Sequence, residues 1–223
     1  MAAIFCALAI ASTYVMHIKV MFLTFDAKDA VITIAGLLFG PLYSVAISLV
    51  VSLIEFITIG DAGPWGFLMD FLSTAIFSCT CALIYKYKKN LKGAIIGLVS
   101  SVFAMTAFMI LFNLFIVPLY TPNYTTAAVA QMVPTLFLPF NLTKALLNAA
   151  IVLILYKPVS TAMKAAKVLP RSNSALSEGE SAENAKKKTL KFSLIVSAVA
   201  LVIAAVCLIV FFIFLNGNVE FFK

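Results

Sequence analysis

An all-α bundle embedded in a lipid bilayer is the fold this sequence predicts, and three observations predict it. Hydrophobic residues fill 63% of the 223 positions and charged residues only 11%, more apolar surface than a water-soluble core can enclose. The apolar residues fall into runs of about 20 that end at Gly, Pro or charge, the length that crosses hydrocarbon. Lysine and arginine collect between these runs, as topology signals do at a membrane.

The runs give spans near residues 1–18, 28–40, 41–59, 65–87, 91–117 and 137–157, with a further run over 190–215. The first begins MAAIFCALAIAS, which has a small-residue stretch at Ala7 to Ala9 but no preceding positive charge, so it reads as a span and not as a cleaved signal. Along it Ala3, Ala7 and Ala11 repeat every four residues and form a smooth stripe on which another helix can pack closely. The second run is short, and only Gly40-Pro41 separates it from the third; proline disfavours helix at the residue before it.

Orientation follows from the basic clusters. Lys86, Lys88, Lys89 and Lys92 join the fourth and fifth spans. Lys157, Lys164, Lys167 and Arg171 follow the sixth, and Lys186, Lys187, Lys188 and Lys191 precede the last run. Positive loops stay in the cytoplasm, which places the N-terminus inside and the end of the 190–215 helix outside. The stretch SNSALSEGESAENAKKKT (172–189) is polar and rich in Ser and Glu, a composition that cannot fold alone. The chain therefore divides into a membrane domain (1–165), a cytoplasmic linker (166–189) and an appended transmembrane helix (190–215).

Several functions are excluded by what the chain lacks. Its net charge of +7 sits in short clusters and not on an aromatic-interleaved patch, so nucleic acid is no partner. Cys6, Cys79, Cys81 and Cys207 lie in apolar runs without CxxC spacing, which argues for packing and against metal. His17 is the single histidine, and neither HExxH, GxSxG nor a phosphate-cradling glycine loop occurs. The chain reads as no enzyme, and ATP hydrolysis, if used, belongs to another subunit.

With this topology the outer loops are 19–27, 60–64 and 118–136, and the polar residues gather beside them. Asp26 and Asp29 open the second span, where Asp commonly caps a helix; Glu55 lies near the outer end of the third, and Asp70 near the start of the fourth. Asn113 lies toward the outer end of the fifth, and Asn141, Lys144 and Asn148 are spaced to share one inward face of the sixth. A charge in hydrocarbon costs about 2.5–3.5 kcal/mol on insertion scales, so Lys144 needs a partner or a ligand. A structural bridge from Lys144 to Asp70 or Glu55 is one reading, and a binding site is the other. Phe25, Trp65, Phe67, Phe112, Tyr120, Tyr124, Phe137 and Phe140 lie at the same level, where they can stack on a flat ligand or form an interfacial belt. The inner half carries no ionisable residue within its spans, so no polar track runs through.

Three stretches, FDAKDAVITIAGLLFGP (25–41), FNLFIVPLY (112–120) and PFNLTKALL (139–147), resemble the substrate-binding S components of energy-coupling factor (ECF) vitamin transporters, most of all their riboflavin-specific branch. The resemblance covers residues 1–165 and implies a six-helix bundle in the cell membrane that captures its vitamin from outside. It implies, as partners, a transmembrane coupling subunit and two cytoplasmic ATPases. It implies no cofactor, the flavin being the transported ligand. On matched positions Asn113, Asn141 and Lys144 would bond the flavin, Phe25 to Asp29 would close over it, and Ala3, Ala7 and Ala11 would dock on the coupling subunit. The wider set of candidate ligand contacts adds Asn148, Glu55, Asp70 and Tyr120. The chain departs from the pattern at Ala145, where glycine is usual, at Ala35, where a Gly-Gly pair is common, and in lacking a proline soon after Asp29. Two alternatives remain open: an S component for a pyridoxine-like or thiamine-like vitamin, and a membrane scaffold working through residues 172–223.

Overall fold

In a computed structural model the described residues are 1–16, 18–20, 23–59, 63–121, 125–165, 198–202, 205–206, 209 and 220–221. The linker expected over 166–189 lies wholly outside them, as does most of the helix expected over 190–215; the described positions of the latter are helical.

The helical bundle expected from the sequence is present. Helix α1 (Ala2–Val15) buries Phe5, Ala9 and Thr13, spaced four apart on one face. Ala3, Ala7 and Ala11 are exposed on the other. Where an outer loop was expected over 19–27, the chain makes a hairpin instead. Strand β1 (Ile18–Val20) pairs antiparallel with β2 (Leu23–Phe25), with Lys19 opposite Thr24. Its Ile, Val, Thr and Phe favour a pleated strand. A short strand near the C-terminus, β3 (Glu220–Phe221), pairs with the other edge of β1.

Helix α2 (Lys28–Phe39) has only 12 residues, about 18 Å at 1.5 Å per residue, and cannot cross a bilayer alone. Its first residues are buried, so the chain enters α2 from within the bundle. Gly40 ends it at a φ of 109°, a left-handed conformation that glycine adopts without strain, and Pro41 opens α3 (Pro41–Thr58) as its first residue. Buried Ser44, Ile47, Ser48, Val51, Ser52 and Glu55 form one continuous stripe along α3.

Helix α4 (Gly63–Tyr87) and helix α5 (Leu91–Tyr120) follow, the latter capped by the Asn90 side chain, which accepts from Gly93 N–H at 2.7 Å. The stretch 118–136, expected as a long loop, is largely helical. Helix α5 runs to Tyr120, and α6 (Thr126–Met132) leads through a π-helical segment (Val133–Phe137) into α7 (Leu138–Ala165). Pro134 and Pro139 each remove a backbone donor there, and such π segments are frequent at functional sites.

Among the described residues four helices, α3, α4, α5 and the run 126–156, are long and apolar enough to cross a membrane, and α1 is a shorter apolar helix. Large apolar side chains such as Leu42, Ile57 and Phe103 point outward while Ser48, Thr74 and Asn148 are buried, the reverse of a water-soluble domain. At the lysine-rich end the Tyr85 and Tyr156 hydroxyls bond each other, tying α4 to α7. A Cβ on Gly97 of α5 would come 2.9 Å from the backbone carbonyl oxygen of Cys81 on α4, and a backbone atom cannot swing aside. Gly97→Ala is therefore expected to destabilise the bundle by about 1–3 kcal/mol, visible as a lowered Tm in detergent.

Candidate functional site at the hairpin end

Asp26, Asp29, Glu55, Asn113, Asn141, Lys144 and Asn148 are buried and Asp70 is partly buried, and two lysines organise them. Lys144 of α7 donates to Asp26 Oδ2 at 3.0 Å and to the Thr24 carbonyl at 3.2 Å, and its Nζ lies 3.9 Å from Asp29 Oδ2. The bridge from Lys144 to Asp70 or Glu55 is thus not formed. Those two carboxylates belong to Lys28, which bonds Glu55 and donates to both Asp70 oxygens at 2.7 Å.

The DAKD segment (26–29) works in both directions because its residues leave the chain on opposite sides. Asp26 and Asp29 face α7. Lys28, at the first turn of α2, faces α3 and α4. Neither aspartate caps α2 as expected, since its N-cap residue is Ala27 and no side chain bonds there. Asp29 Oδ1 instead accepts from Thr74 of α4 at 2.6 Å. Around the second lysine, Thr13 of α1 donates to Glu55 Oε1 at 2.7 Å and Ser52 donates to Asp70 Oδ2 at 2.6 Å. Buried ions are tolerated only when paired and further hydrogen-bonded in this way.

Asn148 fastens the same segment to α7. Its Oδ1 accepts from Ala30 N–H at 3.0 Å, and its Nδ2 donates to the Asp26 carbonyl at 3.0 Å and the Lys144 carbonyl at 3.1 Å. One side chain thereby satisfies a backbone donor at the α2 start and a carbonyl just before it. Asn113 and Asn141 differ. Each donates to the carbonyl four residues back, Met109 at 2.6 Å and Phe137 at 2.8 Å. The buried Asn113 Oδ1 has no hydrogen-bond partner among the described residues, an acceptor free for a ligand's N–H. Phe25 meets Phe140 edge-on, centroids 6.5 Å apart, which brings β2 against α7. Tyr120 closes α5; its side chain and all of Tyr124 lie outside the described residues.

Reading the sequence missed Lys28, Thr13, Ser52 and Thr74. Lys28 is the first residue of the span expected over 28–40, and no role is read for it there. Counting charges finds it: four buried carboxylates cannot be served by Lys144 alone. Asn148→Ala would leave the Ala30 N–H and the Asp26 carbonyl without partners, at about 1–3 kcal/mol each. A drop in Tm of the ligand-free protein, with the helical circular dichroism kept, is the expected reading.

Comparison with known proteins places the chain in a family. The family model for the substrate-specific component of ECF transporters matches residues 1–160. The riboflavin transporter RibU of Staphylococcus aureus (strain TCH60) is 30% identical over 149 residues, 64% of this chain and 78% of that protein. The riboflavin transporter FmnP of Bacillus subtilis (strain 168) is 28% identical over 143 residues, 60% and 75% of the two chains. A solved S component of a bacterial ECF transporter superposes with a TM-score of 0.61 at 27% identity, covering 73% of this chain and 95% of its own. The matched region holds the whole two-lysine network, and the chain belongs to the family of substrate-specific components of ECF transporters.

Proposed function

We propose that the chain captures riboflavin, or a closely related flavin, at its hairpin end and hands it to partner subunits for ATP-driven uptake. The observation that carries this reading is a set of buried hydrogen-bonding groups, Asn113, Asn141 and Lys144, in a chain that resembles two riboflavin transporters. The pyrimidine edge of a flavin presents carbonyls and an N–H. Asparagine offers a donor and an acceptor together, and lysine offers donors only. A flavin without phosphate is neutral, so it adds no charge to a site whose ammonium already has Asp26 beside it. The segment from Phe25 to Asp29 lies against α7 at this point and would close over the ligand.

In this reading the bundle is no enzyme and holds no cofactor of its own. Ala3, Ala7 and Ala11 face away from the bundle and would dock on the transmembrane coupling subunit, which works with two ATPases. The lysine-rich end faces the cytoplasm, with the N-terminus there. Pairing of β3 with the hairpin supports a C-terminus on the outer side.

Trp65 is the one tryptophan and stands at the start of α4, so riboflavin titration is read by its quenching. Saturable quenching is expected, and a purified chain with neither quenching nor flavin absorbance removes the reading. Lys144→Met should weaken binding about 100-fold, the upper range for one hydrogen bond to a charged group. Ala7→Leu should leave the titration unchanged and abolish uptake by the assembled transporter; normal uptake would show that this face is not the coupling surface.

A further inference from the structure

The buried charges divide unevenly in their hydrogen bonding, and the division assigns a task to a residue outside the predicted set. Four carboxylates, Asp26, Asp29, Glu55 and Asp70, converge on two ammonium groups. An ammonium has three N–H donors and no acceptor. Lys28, with its side chain 1% exposed, makes three contacts: Glu55 Oε2, Asp70 Oδ1 and Asp70 Oδ2. Its capacity is used up. Lys144 uses two donors, on Thr24 and Asp26. Asp29 Oδ2, at 3.9 Å, is too far for a hydrogen bond and accepts none. One Lys144 donor remains.

We propose that Lys28 is a positioning residue for the ligand: by holding Glu55 and Asp70 on the far side of the 26–29 segment, it keeps both carboxylates off Lys144 and leaves that third donor for the flavin. The inference rests on the flavin reading above. Without Lys28, a single buried ammonium faces four carboxylates, and a charged acceptor outcompetes a neutral flavin carbonyl for its last N–H. Thr13 and Ser52 hold the other faces of Glu55 and Asp70, so the partition is braced from α1 and α3 as well.

The test compares Lys28→Met with the triple variant Lys28→Met/Glu55→Gln/Asp70→Asn in the full chain, by riboflavin quenching of Trp65. The single variant frees two carboxylates to capture Lys144 and should raise the Kd about tenfold, the lower range for one hydrogen bond to a charged group. The triple variant removes the competing carboxylates along with the lysine, and its Kd should return to within about threefold of the wild-type value, as expected once no charged acceptor competes. A purely structural role predicts the opposite order, with the triple variant at least as weak as the single one. That order, or a single variant that binds like wild type, overturns the proposal. Should Lys28→Met not fold, Lys28→Met/Glu55→Gln, which still leaves Asp70 unclaimed, is compared with the triple variant in the same way and should bind more weakly than it; equal binding overturns the proposal. Wild-type protein that fails to bind riboflavin removes the flavin reading and this inference together, whereas normal wild-type binding with an unmoved single variant removes this inference alone.

Discussion

The structure depends on one electrostatic constraint: two ammonium groups and four carboxylates buried within a bundle whose surroundings are apolar. A charge in that setting persists only with an opposite charge and further hydrogen bonds around it. The DAKD segment meets the requirement by sending Asp26 and Asp29 to α7 and Lys28 to α3 and α4. Thr13 extends the network to α1. Five helices are thus held in register by a four-residue stretch, and losing either lysine would leave buried carboxylates without their ammonium.

The shortness of α2 makes that hub possible. A full-length helix would begin near the bilayer surface, where aspartate and lysine are solvated and need no partners. Twelve residues ending at Gly40 place the start of α2 inside the bundle, so the hairpin end of the chain descends to meet it. Asn148 then bonds the backbone on both sides of the α2 start, and Lys144 reaches the last strand residues through the Thr24 carbonyl. The candidate site is consequently built on the same atoms that fix the fold. Ligand contacts and packing cannot be varied independently here.

The two ends of the bundle contrast. Toward the lysine-rich end Phe77, Cys81 and Leu98 are fully or nearly buried, the buried hydroxyls of Ser44, Ser48, Ser78 and Ser101 bond carbonyls of their own helices, and the Tyr85 and Tyr156 hydroxyls bond each other across α4 and α7. Among the described residues the buried charges are confined to the hairpin end, in keeping with a family of substrate-specific components of ECF transporters.

The sequence by itself determined the class of fold, the boundaries of the first five helices to within about three residues, and the level at which the polar groups gather, but it missed α6 and the last eight residues of α7. Hydrophobic runs and Gly-Pro breaks are local signals, and bilayer thickness sets their length. Spacing along one helix put Asn141, Lys144 and Asn148 on a common face for the same reason. Which carboxylate serves which lysine was decided only by tertiary structure, because Lys28 and Asp70 are 42 residues apart and Lys144 and Asp26 are 118. Pairing at that range depends on how α2 is inserted, and no local pattern encodes it. The hairpin in place of a loop, and the division of Asn148 from Asn113 into clamp and open acceptor, were settled at the same level.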